Sequence, residues 1–200
     1  MKNLLDNKEI ILTCALDLFS KKGYEAVSVQ EIVNIANITK PTLYYYYKSK
    51  EGLYDQLLLK YYNLLNSSIE KVIAYTPNPD SYFEDIYPVL VNLTNSYFSF
   101  AKENPDFYRI VLINQYMPKS SSTYKLVQKY HYKQHDLLIY MFTSMSKVHT
   151  NLNHKEKQLT YSLLGIINTY ISLYLSDTTI DLSIDLSKEL VHQFMHGIYA

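Results

Sequence analysis

Residues Ser28 to Leu53 read SVQEIVNIANITKPTLYYYYKSKEGL, and the order of helix starts and stops in this stretch decides the fold. Ser28-Val29-Gln30-Glu31 has the spacing of a capping box, in which the serine hydroxyl accepts from the amide three residues on and the glutamate reaches back. It opens a short helix that runs through about Ala36. Asn37-Ile38 breaks that helix. Thr39 is placed to cap a second one, with Pro41 in its first turn, where a missing amide costs little, and this helix extends to about Tyr47. Ser49 is placed to cap a much longer third helix. Ile32, Val33, Ala36, Ile38 and Leu43 supply the apolar contacts of the short pair, and the small Ala36 lets the two helices approach closely. Two short helices joined by a tight turn form a helix-turn-helix, whose second helix presents side chains to the DNA major groove.

Charge within the stretch agrees with that reading. No carboxylate occurs between Glu31 and Glu51, whereas Lys40, Lys48 and Lys50 all do. Thr39, Thr42, Tyr45 and Tyr46 add neutral donors and acceptors. Cations and hydroxyls set register on phosphates, and the few side chains that reach the groove read base edges. The helix N-termini near Ser28 and Ser49 offer backbone amides to phosphates. A lysine-bearing face taken alone is equally a solvated surface; the capping box and helix spacing tip the balance to DNA contact. Four consecutive tyrosines cannot share one face, because successive residues turn by about 100° on a helix of 3.6 residues per turn. Two are expected outward, one edge-on and one buried.

The rest of the chain also reads as helices. Ile10, Ile11, Cys14, Ala15, Leu18 and Phe19 recur at helical spacing ahead of the motif, and Gly23 after Lys21-Lys22 is a stop signal. The long helix after Ser49 draws its buried side from Leu53, Leu57, Leu64, Leu65, Val72 and Ile73. Thr76-Pro77-Asn78-Pro79-Asp80 is the clearest break. Further helices follow at about 81–103, 105–115, 121–147, 155–176 and 183–198, with Pro88 kinking the first of them or delaying its start. Two hundred residues with 48% hydrophobic and 19% charged side chains can bury a real core. Four Gly and six Pro disfavour a turn-rich β architecture. The fold class is therefore all-α: a helix-turn-helix domain over about residues 5–65, with the motif itself at about 28–47, and a second helical domain over 66–200. Nineteen basic residues balance nineteen acidic ones, so a polybasic nucleic-acid binder is excluded and any DNA contact rests on a local patch. The N-terminus lacks the apolar run of a signal peptide, and the most apolar segment, 163–175, is shorter than the roughly 20 residues needed to span a bilayer. No membrane partner and a cytoplasmic location are expected.

The residues from Ile10 to Leu53 resemble the N-terminal DNA-binding domain of TetR/AcrR-type transcriptional repressors. The likeness rests on Ala15 and Leu18-Phe19, Gly23-Tyr24, Ser28-Val29, Ile32 and Ala36, Thr39-Lys40-Pro41-Thr42-Leu43-Tyr44, and Lys48-Ser49-Lys50-Glu51 before Leu53. It covers about a quarter of the chain. Val27 stands where that family usually has a small polar residue, Asn37 where it has glycine, and Tyr47 where it has phenylalanine. Asparagine is the next most tolerant residue of a left-handed backbone. The resemblance implies operator contacts from Lys40, Thr42, Tyr45 and Tyr46 and phosphate contacts from Ser28 and Lys50, with Thr39, Pro41, Tyr44 and Lys48 completing the DNA-binding set. It implies a homodimer on a palindromic double-stranded operator, closing through its last two helices; Leu163, Ile166, Ile167, Tyr170, Tyr174, Leu190, Phe194 and Ile198 are the candidate interface, the alternative being an ordinary intramolecular core. It also implies a small-molecule inducer in the C-terminal domain, for which Tyr87, Tyr97, Phe100, Phe107, Tyr108, Tyr130, His135 and Tyr140 are the candidate lining. The expected function is a ligand-responsive repressor.

The competing signals are weaker. His131/His135 and His192/His196 have the i, i+4 spacing that can place two imidazoles on one metal, so a small helical metal-binding protein or enzyme is the alternative. Neither pair has a zincin glutamate or a carboxylate cluster close in sequence, and surface or interface histidines are the ordinary reading. Cys14, the single cysteine, falls on the apolar face of the first helix and reads as an inert core thiol. No nucleophile elbow, glycine-rich phosphate loop or His-Glu-x-x-His motif occurs. No enzymatic activity, cofactor or resident metal is expected.

Overall fold

The cap residues named above determine where the helices begin. In the computed structural model, which describes residues 2–176 and 179–197, the Ser28 hydroxyl accepts from the Glu31 amide at 3.1 Å and Thr39 Oγ1 from the Thr42 amide at 3.4 Å. Ser81 and Ser183 cap later helices in the same way, accepting from Glu84 and Leu186. The helices are α1 (Lys2–Lys22), α2 (Val29–Ile35), α3 (Lys40–Tyr47), α4 (Lys50–Ile73), α5 (Tyr82–Glu103), α6 (Pro105–Gln115), α7 (Tyr124–Ser146), α8 (Glu156–Ser176) and α9 (Ile184–His196). A single 3-10 turn at Thr150–Leu152 lies between α7 and α8, and no strand occurs among the described residues. Gly23 ends α1 at φ 77°, and Asn37 takes the left-handed turn at φ 52°. Pro88 lies inside α5, which starts at Ser81 and runs through it. Among the described residues no helix is long and apolar enough to cross a membrane.

The chain forms two compact units. One comprises the chain up to Asn63 together with Asp106–Tyr130; the other comprises Leu64–Pro105 and the chain from His131 onward. In the first unit, Ile11, Ala15, Leu18 and Phe19 of α1 are buried with Ile32 and Val33 of α2, Leu43 and Tyr47 of α3, and Leu53, Leu57 and Leu58 of α4. Leu12 is buried and Ile10 exposed, which turns the inner face of α1 slightly from the expected stripe. Cys14 is left half-buried at its edge, and burial pushes its thiol above the ordinary value. Tyrosines account for much of this core. Tyr62 stacks on Tyr130 at 5.4 Å and meets Phe107 edge-on at 5.2 Å. The Tyr130 hydroxyl donates to Asp55 at 2.6 Å, and Tyr54 and Asn114 hydrogen-bond at about 3 Å. Because Tyr54, Leu58, Tyr62 and Ile69 share the buried side of α4, Leu64 is exposed and Val72 only half-buried, contrary to the leucine-based expectation.

In the second unit α5 packs on α8 and α9. Ile86, Leu90, Leu93 and Phe98 are buried with Leu163, Ile167, Ile171, Leu190 and Val191. Several polar groups inside this unit are paired, as burial favours, whereas the Tyr75, Thr94 and Thr160 hydroxyls are buried without a hydrogen-bond partner. Tyr97 donates to Gln134 at 3.1 Å, Gln134 donates to Asn66 at 2.7 Å, and His149 Nε2 lies 2.7 Å from Asp85 Oδ2 with both side chains buried.

Candidate nucleic-acid interface

The helix-turn-helix is α2, the turn at Ala36–Thr39 and α3. Its inner side is apolar, so the polar residues of α3 are left outside. Thr39, Lys40 and Pro41 are exposed at the start of α3 and Thr42 is half-buried, its hydroxyl 2.9 Å from that of Thr39. Tyr44 and Tyr45 are 43% and 69% exposed, and Tyr46 is half-buried against the edge of Tyr45. Tyr47 is buried, and its hydroxyl donates to the Lys8 carbonyl at 2.6 Å. The tyrosine run therefore divides as its 100° steps require. Ser28 is exposed at the N-terminus of α2, and Lys48 is exposed at the end of α3. Val27 is buried and offers nothing to a phosphate.

The electrostatics of this face come from a few groups. Glu31, the carboxylate nearest the motif, is ion-paired with Lys22, whose hydrogen bond holds its carboxyl below the usual value. Lys40 and Lys48 stand without an acidic neighbour in the intervening sequence. Lys50 differs from them. Its ammonium lies 4.1 Å from the centroid of the Tyr24 ring, a cation–π contact, and burial lowers its pKa. Lys50 is thus held by Tyr24 rather than extended freely into solvent.

Two residues that shape the site were not identified from the sequence. Lys48 adopts φ 65°, which folds the chain back so that the Tyr47 carbonyl accepts from the Ser49 amide at 2.7 Å. That carbonyl then lies over Gly52, where an added Cβ would be only 2.2 Å away. Only glycine fits there. A glycine in the first turn of a strong helix opposes propensity, and that mismatch was the available signal. Tyr24 is the other; no spacing rule joins it to Lys50, 26 positions on.

Of the expected lining, Phe107, Tyr108 and Tyr130 belong to the first unit, and Tyr87, Tyr97, Phe100, His135 and Tyr140 to the second. Tyr97 and Tyr130 spend their hydroxyls on core partners, and Tyr140 is 64% exposed. A cavity of about 530 Å³ in the first unit is lined by none of the eight, and one of about 470 Å³ in the second is lined, among them, by Phe100 alone. On α8 the expected interface residues fall on two faces. Leu163 and Ile167 belong to the unit's own core, Ile167 with no exposure at all, and Leu190 of α9 is buried likewise. Ile166, Tyr170, Tyr174 and Phe194 are half-buried. Ile198 lies outside the described residues. His131 and His135 meet at 4.4 Å between ring centroids, and His192 and His196 at 4.5 Å. Among the described residues no group of three or more His, Cys, Asp or Glu side chains converges as metal ligands would.

Comparison with known proteins agrees with this geometry. The family of bacterial regulatory proteins described as the tetR family matches residues 11–57. The biofilm operon icaADBC HTH-type negative transcriptional regulator IcaR of Staphylococcus aureus is 33% identical over 78 residues, which are 39% of this chain and 40% of IcaR. YuxN, an uncharacterized HTH-type transcriptional regulator of Bacillus subtilis, is 41% identical over 58 residues, 29% of this chain and 20% of YuxN. The match therefore spans less than half the length of either relative. The likeness in fold is much longer. The fatty acid degradation regulator FadR of Bacillus halodurans superposes with a TM-score of 0.77 over 95% of this chain and 98% of its own, at 14% identity. FadR of Bacillus subtilis, solved with stearoyl-CoA, superposes with a TM-score of 0.75 over 96% and 99%, at 15% identity. Residues 11–57, which hold the helix-turn-helix, thus match the tetR family, and the fold of nearly the whole chain is the one seen in these solved structures.

Proposed function

We propose that this chain is a sequence-specific transcriptional repressor that binds a palindromic operator as a homodimer and releases it when a small molecule binds. The observation that carries this reading is the outer face of α3, where Thr39, Lys40, Pro41, Tyr44 and Tyr45 stand exposed on a capped helix with no carboxylate between Glu31 and Glu51. Tyr45 and Thr42 are assigned to base edges; Ser28, Lys40, Lys48 and Lys50 are assigned to phosphates. Tyr44 and Tyr46 flank them. DNA binding is assigned to residues 5–65, and ligand binding and self-association to 66–200; the protein acts in the cytoplasm.

The homodimer face is the outer stripe of α8, Ile166, Tyr170, Leu173 and Tyr174, with Phe194 of α9. These residues follow one another at i, i+4, i+7 and i+8, so they share a side. They leave apolar surface uncovered after the inner stripe has been buried, Leu173 being exposed. Two α3 helices related by the dimer axis would enter successive major grooves about 34–36 Å apart. Ligand and operator oppose each other by linkage, so each weakens the other by the same factor. The relatives support the sign and the control: IcaR is a negative regulator by name, and the Bacillus subtilis FadR structure contains a small molecule.

The test is selection of bound duplexes from a random library by the purified chain at near-physiological salt. An enriched inverted repeat is expected. Binding with a steep salt dependence and no sequence preference would replace this reading with non-specific association.

A further inference from the structure

The geometry points to a second kind of binding site in the first unit: a pocket for a small, neutral, mainly apolar molecule, built against the segment that leads into the helix-turn-helix and coupled through Tyr24 to Lys50. The cavity has about 530 Å³, within the range of small-molecule sites. One wall is Lys22–Ala26, the connection from α1 toward Ser28; the facing wall is α6 and the loop after it. Its floor is a cluster of three aromatic rings, with Tyr24 5.5 Å from Phe19 and 4.8 Å from Tyr54, and Phe19 5.2 Å from Tyr54.

The polar groups of the wall select the class of ligand. The buried Asn114 amide and the Tyr54 phenol are neutral and bond to each other. An amide carries two N–H donors and a carbonyl, so Tyr54 does not exhaust it, and one hydrogen-bonding group on a ligand can be met there. The charged groups of the lining are of both signs and already engaged: Lys22 with Glu31, and Glu25 with the Ser122 hydroxyl at 2.8 Å. A charged ligand would meet one like charge and would have to break one of these pairs. A neutral molecule with a single polar group meets neither penalty.

The consequence for DNA rests on the repressor reading above. The Tyr24 ring that floors the cavity also holds the Lys50 ammonium at 4.1 Å. A molecule packed against Tyr24 moves that ring, and with it a cation assigned to a phosphate. Filling the cavity therefore acts on operator affinity from inside the unit that carries the helix-turn-helix.

The test uses N-phenyl-1-naphthylamine, a neutral aromatic dye with one N–H group, titrated into the full chain and excited outside the tyrosine and tryptophan bands. Saturable binding is expected, weakened at least tenfold by Ile113→Trp and by Met117→Trp, which fill the cavity, and unchanged by Tyr132→Ala on the other unit's surface. Ile113 is 49% exposed and tolerates the larger ring, so it carries the test if Met117→Trp does not fold. Absence of saturable binding, or equal affinity in folded Ile113→Trp, overturns the site. On an enriched duplex the dye is expected to lower affinity severalfold in the unaltered chain and not in Ile113→Trp; no change overturns the coupling alone. If no duplex is enriched, the repressor reading fails, while the dye titration still decides the pocket.

Discussion

Tyr45, the most exposed of the four consecutive tyrosines, tests the assignment of α3 at the level of one side chain. Tyr45→Ala is expected to cost about 1–3 kcal/mol of affinity for the enriched duplex, as loss of a base contact does, without altering helicity or self-association. Lys40→Ala is expected to weaken binding more evenly across sequences and to reduce the salt slope by about one. Both are read from titrations of labelled duplex, and unchanged binding by both variants would remove α3 from the interface. His131 gives a prediction for stability. Burial, and secondarily the neighbouring His135, push its pKa from 6.5 down to about 4. Between those values the unfolded chain takes up a proton that the folded chain refuses, so stability is full above pH 6.5 and falls toward pH 4. His131→Gln should flatten that part of a denaturation-midpoint profile measured against pH. The exposure pattern of the tyrosine run was legible in the sequence, since helical steps alone determine it. The hold of Tyr24 on Lys50 was not, because it depends on where the α1–α2 connection passes.

At the level of elements, the junction of α3 and α4 is set by backbone geometry rather than by side chains. Lys48 at positive φ brings the Tyr47 carbonyl over Gly52, and a Cβ there would be 2.2 Å from that oxygen. No rotamer change relieves a clash between a Cβ and a carbonyl. Gly52→Ala should therefore destabilise the chain by about 1–3 kcal/mol, the scale of overpacking, although alanine favours an exposed helix by about 1 kcal/mol. Chemical denaturation measures the sign, and a stabilised variant would refute the account. Caps, stops and the glycine and asparagine turns were readable because each depends on residues only a few positions apart. The inner faces of α1 and α4 were read less well. Counting leucines and isoleucines placed Ile10 and Leu64 inwards, while Leu12, Tyr54 and Tyr62 occupy those positions in the core. A tyrosine can fill an interior when its hydroxyl finds a partner, as Tyr54 does in Asn114.

For the molecule as a whole, the sequence marks 163–175, within α8, as the most apolar segment, but not which stripe of it faces inward. That division needs α5, which the sequence does not place against α8. It changes the experiment on assembly. A charge at Ile167 would report on the core, whereas Tyr170→Glu, on the outer stripe, should shift the chain from dimer to monomer in sedimentation while leaving its unfolding cooperative. A dimer unaffected by Tyr170→Glu would place the contact elsewhere. The backbone passes between the two units three times, after Asn63, Pro105 and Tyr130. This constrains how such a protein can be recombined. A chimaera that joins residues 1–63 to part of another protein would lack Phe107 and Tyr130, which pack on Tyr62, and Asn114, which hydrogen-bonds Tyr54. The helix-turn-helix of this chain is not a detachable cassette, and moving it into another protein would require transplanting the α6 segment as well.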